Sequence, residues 1–202
     1  MLPEGFVYLD EVVPGVFRDA KYAGSDNFIG MPVDGYRADR VVGTHELADA
    51  LTKAAALAEE MGYRLLLWDA YRPQRAVNHF IRWCASEEDN RTREKHYPTL
   101  LRSQLIPLGY IAEKSGHSRG STIDLTLTDM AGVPLDMGGV FDFMDELSHH
   151  GNPNVSAEAA KNRELLRGLM LRCGFTDYKN EWWHYRLKNE PYSDTYFDFE
   201  IE

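Results

Sequence analysis

The sequence predicts an α+β fold with an antiparallel sheet flanked by helices, and three observations carry that class. Two long stretches, Thr44 to Met61 and Ser156 to Gly174, have helical apolar spacing with a cap at each end. Short runs rich in β-branched and aromatic residues, YRLLLWD and FTDYKNEWWHYRL among them, read as strands. Strands and helices come mixed, without the regular alternation of a parallel α/β sheet. With 202 residues, one domain covering residues 1–202 is the expectation.

Residues 1–43 are turn-rich, with Gly15, Gly24, Gly30, Gly35 and Gly43 between short apolar pieces. Thr44 caps the first long helix, Leu47, Leu51, Ala54, Leu57, Ala58 and Met61 form its stripe, and Gly62 stops it. Tyr63 to Asp69 then reads as a buried strand, because its apolar run is continuous. Pro73 in AYRP is placed to open a helix with Ala76, Val77, Phe80 and Ile81 on one face. SEEDNRTREK is a charged surface segment, helical or a turn between helices.

In SGHSRGSTIDLTL (Ser115 to Leu127), Ile123, Leu125 and Leu127 alternate with Thr122, Asp124 and Thr126, the period of a half-buried strand. TDMAGVPL reads as a turn at Gly132 into a third strand. Ser156 starts the second long helix and Gly174 ends it. The closing aromatic run is read as a strand.

The net charge of −10 argues against nucleic-acid or anionic-membrane partners, since phosphate binding needs clustered Lys and Arg. Cys84 and Cys173 are too few and too far apart for a disulfide framework and are expected to be reduced. Glu4, Asp10 and Glu11 lie where a signal peptide would need basic residues, and no stretch has the length of a membrane span, so the expected compartment is the cytoplasm.

Among the seven histidines, His45, His79 and His96 lack a partner at ligand spacing, and His149 and His150 are at most supporting groups. His117 leads to Asp124 across a Gly-containing loop, and His184 follows Glu181 by three residues. A catalytic zinc site takes three ligands from His, Asp and Glu and leaves one position for water. His117, Asp124 and His184 make such a set, with Glu181 as a nearby carboxylate. Alone, Asp124 would be read as a solvated strand residue. On a strand, however, it projects from the face opposite Ile123, Leu125 and Leu127 and can look into a cleft. Glu181 and His184, three apart, would point to opposite faces of a regular strand, so a bulge near Asn180 or Glu181 is required for both to serve one site.

Together these pieces resemble a family. SGHSRGSTID fits Ser-x-His-x-x-Gly-x-x-x-Asp and EWWH fits Glu-x-Trp-His, patterns of the zinc D,D-peptidases that include D-alanyl-D-alanine carboxypeptidases and share a fold with Hedgehog signalling domains. WDAYRP (Trp68 to Pro73) is similar to the family's Asp-Gly-Tyr-Arg-Pro element, with Ala70 in place of glycine. KYAGSDNFIGMPVDGY (Lys21 to Tyr36) and FDFMDELSHHG resemble the D-alanyl-D-alanine dipeptidase branch, the VanX type. The likeness runs from about residue 20 to residue 187.

The resemblance implies hydrolysis of D-alanyl-D-alanine, in glycopeptide resistance or wall turnover. It implies one zinc ion per chain on His117, Asp124 and His184, Glu181 as general base and acid, and Arg72 facing the transition state. For Arg72 the competing reading is a salt bridge to Asp69. A dipeptidase must also hold a free ammonium and a free carboxylate. Ser115 and Asp142 are candidates for the ammonium, with Asp142 equally readable as a helix-start carboxylate, and Tyr22 or Asn27 to close the pocket. The rival functions are a D,D-carboxypeptidase or wall endopeptidase, and a non-catalytic binding module stabilised by zinc.

Overall fold

In a computed structural model describing residues 1–202, the apolar run of YRLLLWD becomes an inner strand of the main sheet. In chain order the elements are β1 (Phe6–Tyr8), α1 (Leu9–Val12), β2 (Phe17–Arg18), β3 (Val42–Thr44), α2 (His45–Glu60), β4 (Arg64–Asp69), α3 (Gln74–Cys84), α4 (Arg93–His96), α5 (Arg102–Leu105), β5 (Thr122–Thr128), α6 (Ala157–Arg172), β6 (Phe175–Tyr178) and β7 (Glu181–Leu187). Short 3-10 turns occupy Lys21–Ala23, Gly116–Arg119 and Glu146–Ser148.

The five-stranded sheet has the order β2-β4-β5-β7-β6, and β1 pairs with β3 in a separate two-stranded ribbon. Pairings β4–β5, β5–β7 and β6–β7 are antiparallel, but the edge strand β2 pairs parallel with β4, Phe17 opposite Leu66. The expected antiparallel sheet therefore has one parallel edge. The chain between β2 and β4 contains α2, the kind of crossover a parallel pair needs.

Both long helices form where their local signals lie. The Thr44 hydroxyl accepts from Leu47 N at 3.2 Å, and Ser156 Oγ accepts from Ala159 N at 3.0 Å. Leu47, Leu51, Ala54 and Ala58 of α2 are buried, as are Leu166, Leu169 and Met170 of α6. Both helices pack on the sheet, whose Ile123, Leu125 and Leu127 join the same apolar core. Pro73 is the cap of α3 rather than its first residue. Cys84 and Cys173 are free thiols. No helix is long and apolar enough to cross a membrane.

Two expectations need correction. TDMAGVPL makes its turn, with Asp129 Oδ1 accepting from Ala131 N and Val133 N, but no third strand follows. A single bridge, Thr128 to Pro134, forms instead, and proline has no N–H with which to extend the ladder. FTDYKNEWWHYRL is not one strand but the hairpin β6–β7, turning at Lys179 and Asn180. The charged segment from Ser86 is mostly irregular, with α4 only at its end.

Candidate active site

Every residue of β5 is buried, so Asp124 is an interior carboxylate and not a solvated one. It lines a cavity of about 200 Å³ together with His117, Glu181, His184 and Arg72. His117 arrives on the 3-10 turn before β5. Ser115 Oγ accepts its N–H at 3.2 Å, and Gly120, at φ +85°, ends the turn by donating to the His117 carbonyl at 2.9 Å.

The His117 ring is oriented by a 2.7 Å hydrogen bond from Nδ1 to the Ala70 carbonyl. A carbonyl only accepts, so the proton sits on Nδ1 and Nε2 presents a bare lone pair. That lone pair lies 3.2 Å from Asp124 Oδ2 and 3.3 Å from His184 Nδ1, while His184 Nδ1 lies 3.1 Å from Asp124 Oδ1. One ligand atom from each of the three residues falls within 4.8 Å of the others. Two imidazole nitrogens and a carboxylate turned on one point make the donor set that a divalent metal takes, and the residues present fit one. Although burial alone would raise it, the two imidazoles hold the Asp124 carboxyl below the usual carboxylate range. Burial lowers His117, which favours the neutral, ligating form.

Glu181 opens β7, and the irregularity that it requires is present inside that strand. Asp177 pairs with Tyr185 but the next residue, Tyr178, pairs with Glu181, so Trp182, Trp183 and His184 are extra on β7 relative to β6. Glu181 Oε2 thereby reaches 3.5 Å from His184 Nδ1. Burial pushes the Glu181 carboxyl up to about 7, with His184 opposing and Asp124 reinforcing the rise.

Arg72 makes the salt bridge to Asp69 and also reaches the cavity. Its Nε donates to Asp69 Oδ2 at 2.9 Å, its Nη2 lies 3.4 Å from Asp124 Oδ2, and it also lines the cavity. Its guanidinium carbon stands 5.0 Å from the Tyr22 ring centroid and 5.2 Å from that of Phe80. Asp69 faces Asp124 because β4 carries one extra residue, Trp68, between the pairs Leu67–Leu125 and Asp69–Asp124. Asp69 also accepts from Tyr36 OH at 2.6 Å and lies 3.5 Å from His117 Nδ1.

Ser115, Asp142 and Tyr22 line the same cavity. Asp142 is not at a helix start: the following turn begins at Glu146 and is capped by Asp145. It holds φ +55°, and its Oδ2 accepts from Tyr22 OH at 2.7 Å. Burial raises the Asp142 carboxyl well above its ordinary value, against the pull of the Tyr22 hydroxyl. Asn27 does not close the pocket. Its side chain donates to the carbonyls of Lys21, Gly24 and Met31 and accepts from Ile29 N and Gly30 N, tying its own loop. His149 and His150 do not line this cavity. Trp183, Tyr178, Tyr110 and Lys114 do, and sequence reasoning passed over them. Lys114 directly precedes Ser115, an available signal; Tyr110 comes from a loop with no motif.

Residues 3–202 match the family model described as D-ala-D-ala dipeptidase. The chain is 55% identical to the D-alanyl-D-alanine dipeptidase of Enterococcus faecium over 98% of each protein. It is 53% identical to that of Streptomyces coelicolor, covering 97% of this chain and 98% of the relative. To the Escherichia coli K12 protein of the same name it is 35% identical, over 90% of this chain and 83% of that one. Similarity of this strength, sustained along nearly the whole length, means that the chain belongs to the D-alanyl-D-alanine dipeptidase family.

Proposed function

We propose that the protein is a zinc-dependent dipeptidase that hydrolyses D-alanyl-D-alanine to two D-alanines, with one zinc ion held by His117, Asp124 and His184. The observation that carries the reading is the convergence of three ligand atoms beside a carboxylate, Glu181, that the bulge in β7 brings within 3.5 Å of His184. Zinc bound there supplies a Lewis acid that makes water a competent nucleophile at neutral pH. Glu181 takes the proton of the attacking water and delivers it to the leaving amine. Arg72, permanently charged and held by Asp69, balances the negative charge that develops on the scissile carbonyl oxygen.

Asp142 receives the substrate ammonium, oriented by Tyr22, with Ser115 beside the first ligand contributing its hydroxyl. Lys114 is the cavity-lining cation available to the free carboxylate. The enzyme works as one unit over residues 1–202 in the cytoplasm, where the free dipeptide is made and recycled, in resistance or D-alanine recovery.

Glu181→Gln tests the chemistry: zinc content by metal analysis stays normal while kcat falls roughly a hundredfold or more. Normal hydrolysis by a zinc-loaded variant would remove Glu181 from the mechanism. Assaying free D-alanyl-D-alanine beside its N-acetylated analogue tests the specificity, and preferential cleavage of the blocked substrate would make it a carboxypeptidase.

A further inference from the structure

Three pairs of consecutive residues divide between two cavities. Tyr22, Asp142 and Trp183 line the cavity of the metal-binding cluster, and their neighbours Lys21, Phe141 and Trp182 line a second cavity of about 230 Å³. Asp124 and Thr126, two apart on one face of β5, likewise reach the first and the second. A wall one residue thick thus separates the two spaces.

The second cavity has an apolar wall, including Trp68, Phe141, Leu135 and Met137, and a lopsided set of polar groups. Trp182 Nε1 and Thr126 Oγ1 are buried and have no hydrogen-bond partner, although each residue is only 1% exposed. An indole N–H can only donate. Behind Gly139 lies Arg163, a buried guanidinium that donates to the carbonyls of Met137 and Leu147 and has no carboxylate partner. Its Nη2 is unpartnered, 3.8 Å from where a Cβ on Gly139 would sit. Lys21 and Lys95 stand among the lining residues, bridged by Asp26, and Lys21 also pairs with Asp19. Of the two unpartnered lining groups, Trp182 Nε1 can only donate and Thr126 Oγ1 can donate as well as accept, so an occupant that offers acceptors fits.

We propose that this cavity is a binding site for a small carboxylate with a short apolar body, whose oxygens accept from Trp182 Nε1 and Thr126 Oγ1 while its carbon chain packs on Trp68 and Phe141. Occupancy acts on the neighbouring site through the shared wall. Phe141 directly precedes Asp142, whose carbonyl bonds His96 Nδ1 at 3.2 Å, and His96 itself lines the second cavity. The binding stands independently of the dipeptidase reading; its effect on turnover rests on that reading.

The test titrates propionate calorimetrically into the zinc-loaded full-length protein, with and without a dipeptide-shaped phosphinate saturating the first cavity. Saturable one-to-one binding that survives the phosphinate is expected. Thr126→Val, which removes only the hydroxyl, weakens it about threefold to tenfold, and Val140→Trp, at an exposed lining residue, abolishes it. In steady state, propionate lowers kcat for the dipeptide and leaves KM unchanged. Binding that disappears with the phosphinate, that ignores both variants, or that is absent because water alone fills the space overturns the proposal. Saturable binding by a protein without dipeptidase activity sustains this site and removes the functional reading instead.

Discussion

Asp69 shows how much one side chain outside the metal-binding set can govern. It fixes the Arg72 guanidinium through Nε, accepts from Tyr36, and lies near the Nδ1 edge of His117. On the proposed mechanism Arg72→Gln removes the charge that balances the scissile carbonyl oxygen, and a loss in kcat of roughly a hundredfold to a thousandfold is expected. Asp69→Asn keeps the shape but loses the charge that opposes Arg72. It should lower kcat more than it raises KM, a split read directly from steady-state kinetics. Equal loss of activity and of folded protein would make Asp69 a stability residue only. At this scale the gathering of His117, Asp124, Glu181, His184 and Arg72 about one cavity was legible in the sequence, because metal-binding side chains and their neighbours are constrained in residue type and spacing. The role of Asp69 was half visible, as a salt bridge three residues from Arg72. Its place opposite Asp124 was not, since an extra residue in β4 leaves no mark in that strand's own composition.

Elements set the site by their irregularities. The 3-10 turn that carries His117 ends at Gly120, where φ is +85° and a Cβ would stand 2.4 Å from the Phe6 ring. Gly120→Ala strains the backbone and drives the turn away from β1. It should weaken zinc binding measurably in a chelator competition and lower the Tm; unchanged metal affinity would mean that the turn does not set the ligand. The three extra residues of β7 do for Glu181 what the single extra residue of β4 does for Asp69. The need for the former could be deduced, because residues three apart cannot share a face of a regular strand. Its position within β7, after Glu181 and over three residues, emerged only from the pairing with β6.

Across the whole molecule, buried ionisable groups tie stability to metal and to pH. A chelator that strips zinc should abolish hydrolysis and lower the Tm, and added zinc should restore both; activity that persists without metal would remove the centre from the mechanism. His96 is buried, and burial lowers it to about 4, with its bond to the Asp142 carbonyl opposing. A histidine that is neutral in the fold and titrates near 6.5 when unfolded stabilises fully above about pH 6.5 and loses that contribution as pH falls towards 4. Denaturant midpoints of the wild type should therefore drop over this interval more steeply than those of His96→Gln. Parallel curves would show that another group carries the acid sensitivity.

Local signals determined α2 and α6 with their Thr44 and Ser156 caps, the cores of β4 and β5, and the residue types of the metal-binding cluster. Each depends on neighbours within a few positions, where periodicity and hydrogen-bonding side chains act. Tertiary structure alone decided the parallel edge at β2, the loss of the third strand at Pro134, the extra residues of β4 and β7, and the wall between the two cavities. Register is a property of two strands at once: an added residue is unpaired only relative to a partner that may lie dozens of positions away. The residue types of the cluster were therefore written in the sequence, and its geometry arose where strands met.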